Sequence, residues 1–499
     1  MRTHIPRLIN FILGILMLLI VVLCVCGTGA EYAYKKTFEL PNILYMTLGV
    51  VCFAIMGIVT YKLGALLEKC KYSNWIMLLL NGLFFLGLVI LTYHYYFKTG
   101  WDAQYVEWAA KAIAERNWEA VQNKYFSYYP NNVFLVFLFS SVARMGMLIG
   151  INNYYFCFII FQCAIFATTG YLLYVSAKEC LNIRIALAVW GIYILLIGLS
   201  PWVVVPYSDA TGLLFPTLLF YLYIKISKGT HVAWWIGCFS FLSYVGYRIK
   251  PQIAIVAIAV LIVTLFSVRK SWFVQRKNVL WKMIACMVGI ILGIVLVNVG
   301  VKATHLELEE GLTFGLPHYV MMGLNEECGG VINIVDQNFS MQFTTVEERN
   351  AANLQVAKER VKELGVGGLL KLWKNKMLTN FTDGTFAWWQ EGGFYAQEMY
   401  EGNDWARSFL TDYYYEGRGH HEWFKNTMQT LWMGTLLFSF VGTILDIKNK
   451  EQSELDVLKL SLIGIIIFEM LFEARARYIF IYAPLFILWA HAVWKKYMK

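Results

Sequence analysis

Twelve long apolar runs constrain the fold of this chain more than any other feature. Each run is long enough, or nearly so, to cross a hydrocarbon core of about 30 Å as an α-helix. They occupy residues 8–29, 42–61, 75–97, 154–176, 185–204, 211–226, 232–247, 251–268, 281–301, 428–445, 457–472 and 478–494. Because 59% of the 499 residues are hydrophobic and only 15% are charged, a soluble domain is excluded. The sequence therefore predicts an all-α polytopic membrane protein.

One further segment, residues 133–149, decides the orientation of everything that follows it in the chain. Two serines and Arg144 interrupt it, so it fits either a crossing or a helix on the outer surface. If it crossed, the basic linkers at 178–184 and 269–282 would lie outside, against the tendency of Lys and Arg to stay cytoplasmic. We therefore predict about twelve transmembrane helices, both termini in the cytoplasm, and a juxtamembrane or re-entrant helix at 133–149.

Charge and cysteine content narrow the class of protein further. The net charge of +9 does not point to nucleic acid, because the Lys and Arg residues fall in short clusters between apolar runs. The ten cysteines show neither a disulfide framework nor a CxxC metal spacing. The apolar run after Arg7 exceeds the roughly 7 to 15 residues of a secretory signal, so we interpret it as a retained first helix. These features fit a multi-pass protein of the plasma membrane with no nucleic-acid partner.

The predicted orientation divides the chain into four parts. Residues 1–74 hold two N-terminal transmembrane helices, and residues 428–499 hold the C-terminal ones. Residues 75–301 form a transmembrane core whose large outer loop covers 98–153, and residues 302–427 form a long extracytoplasmic loop. The longest polar stretch of the chain thus shares the outer side with the first large loop.

The same orientation brings four unusual sequences to the outer ends of helices. They are Asp102 in the aromatic-rich loop at 100–132, PYSD at 206–209, YRIKP at 247–251 and FEARARY at 472–478. Ionisable side chains beside apolar helices are costly unless they serve a pathway or a site. We therefore predict that these sequences form one extracytoplasmic active site.

Asp102 and Asp209 are the predicted catalytic residues. A general base must reach an acceptor hydroxyl, and a carboxylate in an outer loop against the membrane has both access and partial desolvation. Asp209 supplies a second acidic position, which would orient the acceptor or share a divalent metal ion (Mg²⁺, Mn²⁺ or Ca²⁺) with Asp102. For both residues the alternative is a helix N-cap, a position that Asp also favours. The local sequence leaves these alternatives open.

Four cations in the later sequences have the chemistry of phosphate ligands: Arg248, Lys250, Arg475 and Arg477. Arg offers a forked and permanently charged set of donors, and Lys adds a point charge. The alternative is snorkelling, in which Lys and Arg at helix ends extend to the membrane surface. Positive charge on the outer side runs against the orientation rule, which favours phosphate binding.

Several aromatic and acidic residues are predicted to contact the substrate. The flat faces of Trp388 and Trp389, with Glu391 beside them, would pack on the apolar face of a sugar, although Trp also anchors helices at membrane interfaces. The other members of the predicted substrate-binding set come from PYSD and FEARARY: Tyr207, Glu473 and Tyr478.

An aspartate in the first large outer loop, a second one after PYS, and a late E-x-R-x-R-Y before a helix with Pro484 together resemble the GT-C superfamily of integral-membrane glycosyltransferases. The similarity runs from about residue 75 to the C-terminus and is closest to the bacterial branch related to protein mannosyltransferases and the aminoarabinose transferase. In that family the first-loop aspartate is catalytic, juxtamembrane helices follow it, and the donor is usually a sugar on a polyprenyl phosphate or pyrophosphate. The resemblance implies a catalytic Asp102, a second acidic position at Asp209, and donor-phosphate binding by Arg248, Lys250, Arg475 and Arg477.

The resemblance therefore implies an inverting glycosyltransferase that moves a sugar from a polyprenyl-phosphate-linked donor to a glycan, lipid or protein acceptor. Two features depart from the family. Two extra helices precede the core, and the loop has a lone WDAQ in place of an Asp-Asp or Asp-Glu pair, which leaves the use of a metal open. The alternative functions are a twelve-helix secondary transporter and a lipid-linked polysaccharide polymerase or ligase. Transporters usually place charges near the midplane and show two related halves, whereas these charges lie at outer helix ends.

Overall fold

The computed structural model of the protein describes residues 5–27, 38, 40–266, 276–389, 397–399, 402, 404–449, 451 and 453–496. Over these residues the protein is all-α apart from one antiparallel pair of two-residue strands, β1 (Phe97–Lys98) and β2 (Gln397–Glu398). The pair joins the end of the third predicted crossing to the long polar segment. The predicted all-α architecture is confirmed.

The α-helices of the described chain are numbered in sequence order. The first eleven are α1 (Ile5–Cys26), α2 (Asn42–Glu68), α3 (Ser73–Tyr95), α4 (Trp101–Ala114), α5 (Tyr125–Tyr128), α6 (Val133–Leu148), α7 (Tyr154–Cys180), α8 (Ile183–Tyr193), α9 (Ser208–Gly212), α10 (Leu214–Ser227) and α11 (Val232–Ile249). The others are α12 (Ala254–Phe266), α13 (Arg276–Ala303), α14 (Leu316–Gly323), α15 (Ile334–Met341), α16 (Val346–Phe381), α17 (Trp405–Tyr414), α18 (His421–Asp446), α19 (Leu455–Leu471), α20 (Ala476–Phe480) and α21 (Ala483–Ala492). Helix α16 kinks at Gly365, whose φ of 57° suits glycine.

Each predicted crossing coincides with helix over most of its length. In the part of the chain that the structure describes, eight helices are long and apolar enough to span a membrane. Seven of the eight coincide with predicted crossings: α1, α2, α3, α7, α9 with α10, α13 and α18. The eighth, Pro130–Leu148, contains α6, which the sequence predicts to lie on the outer surface, while α8, α12 and α21 are shorter apolar helices. The protein is therefore a multi-pass membrane protein.

Both ends of α6 lie beside the same helix, α4. Asn132, directly before α6, donates a hydrogen bond to Tyr207, which in turn contacts the first turn of α4. Tyr154, just after α6, donates to Glu107 in the middle of α4. Arg144, near the end of α6, donates to a backbone carbonyl of α4 at 2.8 Å. Both ends of α6 are therefore fastened to α4 or to side chains that contact it.

The opposite end of the bundle carries the charges predicted to face the cytoplasm. Arg184 at the start of α8 pairs with Glu68 at the end of α2 at 2.8 Å. Lys178 near the end of α7 donates to Asn74 at the start of α3 at 2.7 Å. Residues predicted to share the inner side thus meet at one end of the bundle, away from α4.

The long polar segment is fastened to the loop that carries α4 and α5. The backbone N–H of Phe314 donates to Tyr128 O at 3.1 Å, and Gln337 donates to the Tyr129 hydroxyl at 2.8 Å. Arg349 of α16 is fully buried and donates to the backbone carbonyls of Gly311, Thr313, Ser340 and Phe343. Helices α14, α15 and α16 therefore form a layer that covers the first large loop.

Candidate active site

Helix α4 presents Asp102 in its first turn, next to the start of α9. The N-cap of α4 is Gly100, and Asp102 accepts a hydrogen bond from the Tyr207 hydroxyl at 3.3 Å. The N-cap of α9 is Tyr207, and Asp209 in the first turn of that helix pairs with Lys250. Both aspartates thus contact side chains from distant parts of the chain, and neither occupies the N-cap position that the sequence left open.

Trp101, the residue before Asp102, has a strained backbone. Its φ of 49° lies in the left-handed region, which costs a bulky residue on the order of 1–3 kcal/mol. The indole meets the Tyr207 ring edge to face with centroids 4.9 Å apart, and the guanidinium carbon of Arg477 lies 4.7 Å from the indole centroid. Because such strain tends to occur at functional sites, we include Trp101 in the candidate site.

A chain of hydrogen bonds supports the Asp102 carboxylate. Asn132 donates to the Tyr207 hydroxyl at 3.3 Å and to the Tyr125 hydroxyl at 2.6 Å, and Tyr207 donates to Asp102. Burial raises the pKa of the Asp102 carboxyl above its ordinary value, while Arg477 and the Tyr207 hydrogen bond act to lower it. The residue is half-buried, so solvent still reaches it. A partly desolvated but accessible carboxylate is suited to general-base catalysis.

Asp209 lies at the centre of a buried ion cluster. Its side chain is 2% exposed and contacts the ammonium of Lys250, whose side chain is 6% exposed. Arg477 Nε lies 3.9 Å from Asp209 Oδ2, and Lys250 Nζ lies 4.6 Å from the centroid of the Tyr478 ring. A buried charge is costly unless it is paired. Asp209 therefore neutralises Lys250 inside the protein and links it to Arg477.

The FEARARY sequence runs from the end of α19 into α20 and carries an ion pair of its own. Arg475 Nε donates to Glu473 Oε1 at 3.1 Å, and the Tyr478 hydroxyl donates to Glu473 Oε2 at 3.2 Å. Glu473 thus holds Arg475 and Tyr478 on either side of it. Arg475, like Arg477, acts electrostatically on the Asp102 carboxylate. This sequence therefore brings two guanidinium groups to the predicted base.

Lys376 of α16 ties FEARARY to the covering layer. It is fully buried, and its ammonium donates to the backbone carbonyls of Gly323, Met470 and Phe472. Burial lowers the pKa of Lys376 to about 8. The contacts join α14, the end of α19 and α16 at one point, which fixes the position from which Glu473 and the two arginines project.

Arg248 lies two residues before Lys250, in the last turn of α11, and its surroundings are different. Its side chain is half-buried. Its Nε is buried, and none of the described residues accepts a hydrogen bond from it. Buried donors are nearly always paired, and a guanidinium is a strong ligand for anions. The unpaired N–H of Arg248 is therefore suited to an anionic ligand.

Trp388 and Trp389 do not join the Asp102 cluster. Their side chains are only 1% and 7% exposed, and each indole N–H is engaged inside the protein, with Tyr414 O at 2.7 Å and Asp383 Oδ2 at 3.1 Å respectively. A covered indole cannot present its face to a sugar, so we assign both residues to the protein core, where Trp388 packs on Phe97 of β1 with ring centroids 5.8 Å apart. Glu391, the third residue of the predicted sugar platform, lies outside the described residues.

Several residues near the cluster were missed by the sequence analysis. Tyr129 and Tyr319 are half-buried and lie close enough to Asp102 to interact with it electrostatically. Glu469 of α19 is fully buried, and neither of its carboxylate oxygens has a hydrogen-bond donor among the described residues. An acid inside the apolar run 457–472 was the signal that could have identified it.

The predicted divalent metal would have Asp102 and Asp209 as its ligands. Within the described ranges, no group of three or more His, Cys, Asp and Glu side chains is arranged to hold a metal ion. Both aspartates interact with Arg477. Asp209 also pairs with Lys250, so cations of the protein itself lie beside both carboxylates.

Comparison with known proteins identifies the chain by its family. No curated protein and no solved structure matches it. A family described as conserved hypothetical integral membrane protein matches residues 3–498, which is nearly the whole chain. The match agrees with the architecture of apolar helices described above. The chain belongs to this conserved hypothetical integral membrane protein family.

Proposed function

We propose that this protein is a membrane glycosyltransferase that moves a sugar from a polyprenyl-phosphate-linked donor to an acceptor on the extracytoplasmic face. The observation that carries the proposal is a half-buried carboxylate, Asp102, whose neighbour Trp101 has its indole centroid 4.7 Å from the Arg477 guanidinium carbon, at one end of a bundle of apolar helices. Transfer from a lipid phosphate needs both groups, because one removes the acceptor proton and the other stabilises the leaving phosphate.

In the proposed reaction, the acceptor oxygen attacks the anomeric carbon of the donor sugar. A carbon–oxygen bond forms there as the bond to the phosphate oxygen breaks, and its electron pair leaves on the phosphate. Asp102 accepts the proton of the acceptor hydroxyl, and the single displacement inverts the anomeric centre. Tyr207 and Asn132 hold Asp102 in place through their hydrogen bonds. The raised pKa of the carboxyl strengthens it as a base.

The ion pairs divide the predicted phosphate ligands into two groups. Lys250 is neutralised by Asp209, so we assign this pair to positioning Arg477 and remove both residues from direct contact with substrate. Arg475 and Arg477 are also paired, with Glu473 and Asp209 respectively, but both act on the Asp102 carboxylate and so lie beside the base, where we assign them to the phosphate. Arg248 joins them because its buried Nε lacks an acceptor among the described residues. A fork of guanidinium donors suits the tetrahedral oxygens of a phosphate.

The proposed fold is GT-C-like, with α4 and α6 as the juxtamembrane helices of the first outer loop. The contacts of both ends of α6 with the surroundings of α4 support this placement. The cluster of Arg184 and Lys178 at the opposite end supports cytoplasmic termini in a plasma membrane, because basic residues favour the cytoplasmic side. The acceptor is a glycan, a lipid or a protein.

The test is donor consumption by the purified protein in liposomes. The protein is given a panel of radiolabelled sugars linked to polyprenyl phosphate. The same sugars linked to soluble nucleotides serve as matched donors that lack the lipid. We expect label to leave the lipid-linked donors and appear on an acceptor. Uptake of a free sugar into the vesicles, with every lipid-linked donor left intact, would favour the transporter and contradict the proposal.

Replacing Arg477 by Gln should move the acidic limb of the pH–rate profile to higher pH. Arg477 acts to lower the Asp102 pKa, so without it the carboxyl keeps its proton to a higher pH. Because a general base must be ionised, turnover should then begin at higher pH than in the wild type. Rates of label transfer across a pH series give the shift. Arg475→Gln is the matched comparison. Because Arg475 lowers the Asp102 pKa less than Arg477 does, its replacement should shift the acidic limb by less. Identical limbs in wild type and Arg477→Gln would disprove the coupling.

A further inference from the structure

Helix α17 has an apolar half that the bundle covers only in part. At the period of an α-helix, its ten residues divide into an apolar half and a polar half. Leu410 and Tyr414 of the apolar half are buried against the bundle, whereas Trp405 is 78% exposed. One side of the apolar half, beginning at Trp405, therefore points away from the protein. The apolar half consists of Trp405, Ala406, Phe409, Leu410, Tyr413 and Tyr414, and the polar half of Arg407, Ser408, Thr411 and Asp412.

The exposed side of α17 is aromatic and continues onto α18. The rings of Trp405, Phe409 and Tyr413 lie nearly parallel, and successive ring centroids are 5.5 and 6.0 Å apart. The His420 ring lies 5.7 Å from that of Phe409 and 4.6 Å from that of Trp423, again between centroids. Trp423 is in the first turn of α18 and is 61% exposed. These five rings form one continuous patch, which we call the aromatic surface.

The aromatic surface lies at the ends of α3 and α18, two helices that are long and apolar enough to span a membrane. Asp404, the N-cap of α17, has its Oδ2 3.5 Å from Nδ1 of His94 in the last turn of α3. Directly after α17, the Tyr415 hydroxyl donates to Tyr95 O at 2.5 Å, and Tyr95 is the last residue of α3. Both ends of α17 are thus held at the end of α3 from which the chain continues to β1 and α4.

The chemistry of the aromatic surface fits the boundary between lipid headgroups and acyl chains. Trp and Tyr are enriched at that boundary, because their rings are apolar and their N–H or O–H groups can reach water. An amphipathic helix there buries its apolar face about 5–10 Å deep and keeps its polar face in water. Tyr93, in the last turn of α3 beside His94, is a further exposed aromatic residue at this level. The lipid that surrounds the two spans is therefore the partner that continues onto the aromatic surface.

We propose that α17 is an interfacial helix and that its aromatic surface docks on the phospholipid leaflet at the α4 end of the bundle. Docking fixes the height of the candidate site relative to the membrane, because Tyr414 joins α17 to the core behind that site. The Tyr414 hydroxyl donates to Leu199 O at 2.9 Å, and its carbonyl accepts the Trp388 indole N–H at 2.7 Å. Leu199 lies shortly before the segment 201–209, which ends at Asp209.

Photo-crosslinking in nanodiscs of phosphatidylcholine tests the proposal. The full-length protein carries Trp405→p-benzoylphenylalanine, which keeps an aromatic side chain at this exposed position. After irradiation, mass spectrometry of the intact protein distinguishes a lipid adduct from a cross-linked protein dimer, and we expect the lipid adduct. Phe11→p-benzoylphenylalanine, at an exposed position of the span α1, is the positive control. Leu354→p-benzoylphenylalanine, at an exposed position of α16 in the covering layer, should give no lipid adduct.

A second pair of variants tests whether the aromatic surface itself holds α17 on the lipid. With the photoreactive residue moved to Phe409, Trp405→Glu places a charge in the aromatic surface and should lose the lipid adduct. Ser408→Glu places the same charge on the polar half of the same helix and should keep it. Both substituted side chains are exposed, so neither change disturbs the core.

Three results would overturn the proposal. A cross-linked dimer at position 405 would assign the aromatic surface to a second copy of the chain. A lipid adduct at position 11 with none at position 405 would place α17 in water. Equal adducts at positions 405 and 354, or in the Trp405→Glu and Ser408→Glu variants, would show that the aromatic surface has no specific contact with lipid.

Discussion

Asp102→Asn should lower the turnover of a lipid-linked sugar by about 10²- to 10⁴-fold, the range that a positioned general base contributes. The amide has nearly the size of the carboxylate and can still accept the hydrogen bond of Tyr207, so α4 should keep its place. It cannot accept the acceptor proton. Initial rates of label loss at saturating donor measure the effect. Binding of the donor should be unchanged or tighter, because a negative charge near the phosphate is removed.

Glu115→Gln is the matched control for this experiment. Glu115 is the exposed C-cap residue of α4, and its partner is Lys111 at 3.9 Å, so the same acid-to-amide change is made on the same helix away from the cluster. We expect a wild-type rate. If Asp102→Asn also turned over donor at the wild-type rate, Asp102 would have no part in the chemistry. Loss of donor binding together with turnover would instead assign Asp102 to binding.

The positions of the helices could be predicted because they depend on local properties of the chain. A run of about 20 apolar residues must cross a membrane as a helix, since its backbone has no other hydrogen-bond partners there. The same rule does not decide apolar helices shorter than a full span, because they are not long enough to cross alone. Helix α21 has an apolar stretch of ten residues, Ala483–Ala492, which falls below the length of a span on its own. Its membership in the bundle depends on its neighbours.

The candidate site could be predicted in outline but not in its pairings. Charges at the ends of helices on one side of a bundle must lie near each other, which is why Asp102, Asp209 and Arg477 could be grouped from orientation alone. Whether an aspartate caps its helix or pairs with a distant group depends on residues far away in sequence. Tyr207 is 105 positions from Asp102, and Lys250 is 41 positions from Asp209. Local sequence does not contain this information.

Burial of large and charged side chains was the least predictable feature. From its sequence context Trp388 fits either a sugar platform or an anchor at the membrane interface, whereas in the structure it is packed in the core with its indole N–H on the carbonyl of Tyr414. Lys376 follows Lys371 and Lys374 in the same helix, and lysine is usually exposed. Three backbone carbonyls at the junction with α19 compensate its burial, and this junction exists only in the folded protein.

Lys250→Met should destabilise the protein strongly, and a second substitution should restore much of the loss. Breaking a buried ion pair by removing one partner typically costs about 3–5 kcal/mol, because the other charge is left buried. In that variant Asp209 would still have Arg477 as a neighbour. The 3.9 Å between Asp209 Oδ2 and Arg477 Nε is longer than a direct hydrogen bond, so Arg477 would not fully compensate the loss of Lys250. We therefore expect the free energy of unfolding to fall by about 3–5 kcal/mol in Lys250→Met and in Asp209→Leu, measured by denaturant titration of the purified protein in mixed micelles.

The double variant Asp209→Leu with Lys250→Met should be more stable than either single one, because it replaces the ion pair by apolar side chains. Stability and function should then separate. Without Asp209, Arg477 loses the group that positions it. Turnover of the lipid-linked sugar should therefore stay low in the double variant even though the protein is stable. Arg184→Met, which breaks an ion pair at the opposite end of the bundle where Glu68 is 37% exposed, is the control and should leave the free energy of unfolding close to that of the wild type. Full turnover in a stable double variant would show that the Asp209–Lys250 pair serves the fold alone. A Lys250→Met protein as stable as Arg184→Met would show that Lys250 is not buried as an ion.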